Sequence, residues 1–160
     1  MHDKKTYLTP EGRRKLLDEL EHLRNVRRPE VAAQIKFAKE GGDISENAGY
    51  EEAKNAQAFL EGRIMTIEQM IETAVIIEHD GPADKVQMGT YVTVKEEDEA
   101  ATDKYQIVGS AEASPGQGRI SNESPMGKAM MAKKVGEVCK VKTPGGERTF
   151  QIKKISWIPD

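Results

Sequence analysis

Gly41-Gly42-Asp43-Ile44-Ser45-Glu46-Asn47-Ala48 lies between two long stretches whose apolar residues recur at helical spacing. After it, Ala53, Ala56, Leu60, Ile64, Ile67, Ile71 and Ala74 follow in steps of three or four, which average to a heptad. Before it run Leu16, Leu20 and Leu23, then Val31, Ile35 and Ala38. Two such stripes joined by a few residues fold back as an antiparallel hairpin, because neither stripe leaves water except against the other. The acidic turn then falls at the far end. With about 30 residues in each arm the hairpin reaches roughly 45 Å at 1.5 Å per residue, a length suited to reaching a partner.

The first arm starts at Thr9-Pro10-Glu11-Gly12, with Thr9 as N-cap candidate and Pro10 where a missing N–H does no harm. Pro29 lies inside that arm and predicts a bend or short break at Arg27-Arg28-Pro29-Glu30. The stripe loses phase at the same place, with eight residues separating Leu23 from Val31. The second arm is expected to end near Thr73, where Val75-Ile76-Ile77 turns to a β-type run.

From Val75 onward the period is close to two. Strands are predicted over 89–94, 105–108, 137–141 and 150–155, and Pro144-Gly145-Gly146 marks a hairpin turn between the last two. Ser124-Pro125 opens a short helix through Met131, with Ser124 as cap. Its Met126, Met130 and Met131 read either as core or as an adaptable contact patch. Glu96-Glu97-Asp98-Glu99 reads as a solvated loop. The expected class is α+β, with a coiled-coil hairpin over 1–75, tipped at 41–48, and a small antiparallel sheet with one short helix over 76–160.

The 160 residues carry 24 Lys and Arg against 27 Asp and Glu, a formal charge of -3. The halves are alike, with 12 basic and 14 acidic residues through Ala74 and 12 and 13 beyond it. Autonomous nucleic-acid binding is not expected of so mixed a chain, and any such contact should be local and depend on a protein partner. The single Cys139 excludes an intrachain disulfide. No signal-peptide core follows Met1, and no apolar run approaches the 18 or so residues needed to cross a bilayer. A cytoplasmic protein without membrane attachment is expected.

Asp43 and Glu46 carry the chemistry. Two carboxylates three residues apart could offer oxygens to one magnesium ion, but two ligands hold it poorly, so the remaining ligands would come from a partner. The same spacing fits Asp43 as the N-cap of the second arm with Glu46 in a capping-box position. Both readings are compatible.

The segment 40–48, followed by Tyr50 and by Glu61-Gly62-Arg63-Ile64, resembles the tip and descending helix of the bacterial Gre transcript-cleavage factors. Val26-Arg27-Arg28-Pro29-Glu30, Ile120-Ser121, Ser124-Pro125 and Lys142-Thr143-Pro144-Gly145-Gly146-Glu147 extend the likeness along essentially the whole chain. The resemblance implies a hairpin that enters the secondary channel of bacterial RNA polymerase, where Asp43 and Glu46 help hold a second magnesium and its water. The polymerase then cuts its own backtracked RNA. The chain would have no cofactor of its own, only magnesium shared with the polymerase. Ser45, Asn47 and Tyr50 would shape the tip or touch RNA, their alternative being helix-start hydrogen bonding and packing. Arg24, Arg27 and Arg28 would face the nascent RNA 3′ end, with Lys36 and Lys39 adding charge nearer the tip; the bland reading is a solvated helix face. The second domain would be FKBP-like, with Ser124, Pro125 and Met126 in its polymerase-docking face. Gly41 and Gly49 depart from the family, which often carries a basic or imidazole group at the first position and an acid at the second.

Three other readings compete. An anti-cleavage relative would occupy the channel and inhibit, and such proteins have a more acidic tip. A peptidyl-prolyl isomerase or chaperone module needs an aromatic-lined pocket, for which the second half offers only Tyr91, Tyr105, Phe150 and Trp157. A dimerisation rod would have no role in catalysis.

Overall fold

A computed structural model describes residues 5–41 and 47–159. The chain divides into two compact units, Glu11–Thr73 and the remainder, which joins the chain up to Pro10 with Ala74 onward.

The helical unit is a hairpin. Helix α1 (Pro10–His22) passes through a π-helical turn (Leu23–Arg27) into α2 (Arg28–Glu40), and α3 (Ala48–Glu72) returns. The arms are antiparallel, because Arg24 meets Glu68, Arg28 meets Glu61 and the Ala38 carbonyl meets Asn47, so that residue numbers rise on one arm as they fall on the other, and Glu19 also pairs with Arg63 across the hairpin. Leu16, Leu20, Val31 and Ile35 are buried on the outgoing arm, and Ala53, Leu60, Ile64 and Ile67 on the returning one, as the stripes predict.

Pro29 does not break the first arm. The preceding turn widens instead, and the Arg28 N–H donates to the Leu23 carbonyl five residues back. One extra residue in a turn is the difference between the eight residues from Leu23 to Val31 and the seven of a heptad, so the π turn restores the phase of the stripe. It also puts Pro29 in the first turn of α2, where no N–H is required of it.

In the other unit, β1 (Thr6–Leu8) pairs in parallel with β2 (Ala74–Ile76). Residues 6–8, assigned by sequence to the hairpin domain, therefore cluster with the sheet-bearing unit. The hairpin is the connection between these two strands, since parallel neighbours need a long crossover. Where α1 begins, the Glu112 carboxylate accepts hydrogen bonds from the Thr9 amide and hydroxyl, both at 2.6 Å.

The main sheet orders β5 (Arg119–Ser121), β4 (Thr102–Val108), β3 (Tyr91–Glu96), β7 (Gly146–Ser156) and β6 (Val138–Thr143). It is mixed rather than purely antiparallel, because β5 runs parallel to β4. One face packs Val92, Val94, Ile107, Cys139, Val141, Phe150 and Ile152 against helix α4 (Pro125–Met130), whose Met130 is fully buried. Met126 and Met131 flank the same core. Cys139 is a free, buried thiol, and burial pushes its pKa up.

Glu96 is not part of a solvated loop. It ends β3, and its carboxylate takes both donors of the Arg148 guanidinium. The 144–145 turn closes β6 on β7, with Gly146 at φ 120 and the Thr143 hydroxyl donating to its carbonyl at 2.7 Å.

Ala132 has a left-handed backbone at φ 67, which costs a residue with a Cβ about 1 kcal/mol or more. Ala132→Gly should raise the unfolding free energy by about 0.5–1 kcal/mol, read from the urea midpoint at unchanged slope.

Candidate functional site

The hairpin end is built from the last turn of α2 and the first turn of α3. Helix α2 stops at Gly41, whose N–H donates to the Ala38 carbonyl at 3.3 Å with φ -79. No left-handed conformation is required there, and a Cβ would make only ordinary contacts, 3.5 Å from the Ala38 carbonyl oxygen. The position can therefore accept a side chain.

Helix α3 takes its cap from Asn47. The Asn47 Oδ1 accepts from the Tyr50 N–H at 3.1 Å, and the Asn47 Nδ2 donates across the hairpin to the Ala38 carbonyl at 2.7 Å. One side chain thus satisfies an open donor of α3 and an open acceptor of α2. The capping reading of Asp43 is corrected by this, because α3 starts four residues later and finds its oxygen elsewhere. Asp43, Ser45 and Glu46 themselves lie outside the described residues. Gly49 stands beside the cap, and a Cβ there would sit 3.2 Å from Asn47 Oδ1, so any larger residue presses on it.

Tyr50 is half-buried in the first turn of α3. Between the arms near this end opens a shallow groove lined by Ala33, Phe37, Ala38, Glu52, Ala53 and Ala56. Phe37 and, further along α3, Phe59 are 80% and 82% exposed. Sequence reasoning passed over both, since neither falls on the stripe.

Arg24, Arg27 and Arg28 of the first arm each meet a carboxylate. Arg24 meets Glu68 at 2.6 Å, Arg27 meets Glu30 at 2.6 Å, and Arg28 forks onto Glu61 with two bonds of 2.8 Å. This local neutralisation needs the tertiary structure to be seen, because Glu61 and Glu68 come from the other arm. The Arg28 fork holds the Glu61 carboxyl below its ordinary value, and Arg63 does the same to Glu19.

Both carboxyls are lowered in the folded hairpin from about 4.5 when unfolded, so their contribution is complete above that value and is lost as pH falls through the lower folded one. The melting temperature should stay flat from about pH 7 to about 5.5 and fall below about 4.5, with high salt shrinking the difference.

At the start of α4, Ser124 Oγ accepts from the Gly127 N–H at 3.0 Å and donates to the Ser121 carbonyl at 2.6 Å. Pro125 is exposed and Met126 half-buried against the core. Ser124 is thereby committed as the helix cap, as the sequence suggests. Among the described residues no group of three or more His, Cys, Asp or Glu could hold a metal ion. No helix among them is long and apolar enough to cross a membrane.

A helical hairpin unit and a mixed-sheet unit in one chain define a two-unit α+β class. Comparison with known proteins makes the class specific. The family profile "Transcription elongation factor, N-terminal" matches residues 6–76, and "Transcription elongation factor, GreA/GreB, C-term" matches 81–157. Transcription elongation factor GreA of Bacillus subtilis is 50% identical over 149 residues, 93% of this chain and 95% of that one. The GreA of Chloroflexus aggregans is 49% identical over 156 residues, covering 97% and 99%. Among solved structures, the GreA factor homolog 1 (Gfh1) of Thermus thermophilus is 32% identical, covers 95% of this chain and 99% of its own, and superposes with a TM-score of 0.44. The chain belongs to the GreA/GreB family and is a transcription elongation factor of the Gre type.

Proposed function

We propose that this factor reaches into bacterial RNA polymerase through the secondary channel and stimulates the polymerase's own cleavage of backtracked nascent RNA, so that arrested elongation restarts. The chain is not itself the hydrolase. Asp43 and Glu46 lend carboxylate oxygens to a magnesium ion that the polymerase also holds, and such an ion activates water and offsets phosphoryl charge. The donor set fits a shared ion, since two carboxylates alone are too few for a site that belongs to this chain.

The observation that carries the reading is the Asn47 cap. Because α3 draws its N-terminal acceptor from Asn47, the helix does not need either acidic side chain of the preceding turn, which leaves both for a partner. Ser45 and Tyr50 shape the tip around them. Arg24, Arg27 and Arg28 meet the RNA 3′ end by exchanging carboxylate partners for phosphates, and Ser124, Pro125 and Met126 belong to the docking face. A protein with this partner works in the cytoplasm.

The test is RNA shortening in a purified arrested elongation complex with and without the protein. Faster shortening is expected, with the polymerase active site required. An unchanged rate would refute the reading, and a rate below that of polymerase alone would make the protein an anti-cleavage factor.

A further inference from the structure

Strand alternation and the ladder registers sort the side chains of the main sheet onto two faces. The face turned away from the core carries Tyr91, Thr93 and Lys95 from β3, whose neighbours Val92 and Val94 are fully buried. Register places Lys104 opposite Thr93 on β4, and Lys154 opposite Thr93 on β7. On β6, Lys140 and Lys142 alternate with buried Cys139 and Val141 and so share that outer face. The ladder between β3 and β7 shifts register at Thr93/Val94, and this irregularity leaves Lys153 and Lys154 exposed in succession. Glu147, opposite Lys142, is the acid that register puts on the same face, and the turn Glu97-Asp98-Glu99 lies beyond the end of β3. Lys95, Lys140 and Lys142 take part in none of the ion pairs among the described residues.

A chain with more acids than bases has therefore gathered Lys95, Lys104, Lys140, Lys142 and Lys154 on one sheet face. Adjacent strands lie about 4.8 Å apart and rise about 3.3 Å per residue, so Lys95 on β3 and Lys140 on β6, two strands apart and offset by two residues in register, stand about 12 Å from each other, a span of about two phosphates on an extended strand. Tyr91 offers a half-exposed ring on that face, and Thr93, Gln106 and Gln151 offer hydrogen bonds. Cations that track a backbone beside an aromatic platform are what single-stranded nucleic acid requires. An acidic protein segment would use the lysines and leave the ring idle.

We infer that the outer face of the main sheet, centred on Lys95, Lys140, Lys142 and Tyr91, is a low-affinity binding surface for single-stranded RNA. The site is separate from the hairpin tip and does not use Asp43 or Glu46. It binds through phosphates, without sequence preference, and salt weakens it steeply.

The test is fluorescence anisotropy of a labelled mixed-sequence RNA of about 20 nucleotides with the full-length chain at two salt concentrations. Saturable binding is expected at low salt. The variant Lys95→Gln/Lys140→Gln/Lys142→Gln should bind about tenfold more weakly and reduce the slope of log affinity against log salt by about 2, as expected for three lost phosphate contacts on a single strand. Tyr91→Ala should weaken binding about tenfold with the slope unchanged, which separates stacking from charge. Asp43→Asn should bind RNA like the parent, so failure here and failure of the cleavage reading are distinguishable. No binding by the parent chain, an unchanged triple variant, loss of binding in an Arg24→Gln/Arg28→Gln hairpin variant instead, or a polyglutamate peptide that competes as well as unlabelled RNA would each overturn the inference.

Discussion

Asp43→Asn and Glu46→Gln should each lower stimulated RNA cleavage on the order of 100-fold, the scale at which losing a group oriented around a metal is felt, and should leave thermal unfolding nearly unchanged. The separation follows from the cap. If α3 drew on Asp43 for its first turn, removing the charge would cost about 1 kcal/mol of stability, but the Tyr50 N–H already has the Asn47 side chain as its acceptor. Asn47→Ala should give the opposite pattern. It removes the α3 cap and the bond from Asn47 Nδ2 to the Ala38 carbonyl together, and the two losses sum to about 2 kcal/mol. Cleavage would then fall only as far as the hairpin end loosens. Full cleavage with both acidic variants would remove the metal-sharing role, and a large drop in their melting temperature would return the pair to a structural role.

Gly127→Ala should be the most destabilising small substitution in the sheet-bearing unit, costing about 3 kcal/mol or more and abolishing a cooperative near-native melt. A Cβ on Gly127 would lie 1.9 Å from the Ser121 carbonyl oxygen, a backbone atom at the end of β5 that cannot move without breaking its ladder. That carbonyl also accepts from the Ser124 hydroxyl, so the methyl group would strike the hydrogen bond that positions the cap of α4. With α4 displaced, Met130 leaves the core of the sheet. Differential scanning calorimetry decides the matter, and a melt within about 1 kcal/mol of the parent would show that β5 and α4 can separate at little cost. Gly62→Ala is the control, because a Cβ there meets nothing within 4 Å.

The hairpin was legible because a coiled-coil seam is a local code. Leu16, Leu20, Val31, Ile35, Leu60, Ile64 and Ile67 recur at a spacing only a helix can use, and their burial follows from water and geometry alone. The β6–β7 turn, the Ser124 cap and the four longer strands were readable for the same reason, since each signal fits within a few neighbouring residues. The acidic pair was legible as residue types, but its role was not, because an Asp and a Glu three apart serve a cap and a metal equally well.

What the chain by itself determined is therefore the element types, the class and the identity of the charged turn. Only the tertiary structure decided which side chain caps α3, since Asn47 reaches back to Ala38 on the other arm, nine residues away. It also decided that β1 and β5, three residues each, become strands, because such short segments hold their shape only when β2 and β4 supply partners. Packing converted the predicted break at Pro29 into a π turn that keeps Val31 on the seam, and Arg148 drew Glu96 out of an expected loop from 52 residues away. The lysines of the outer sheet face are scattered through the sequence and were gathered by register alone. Local periodicity fixes what a segment can be, and long-range contacts fix which of its groups are already satisfied and which remain for a partner.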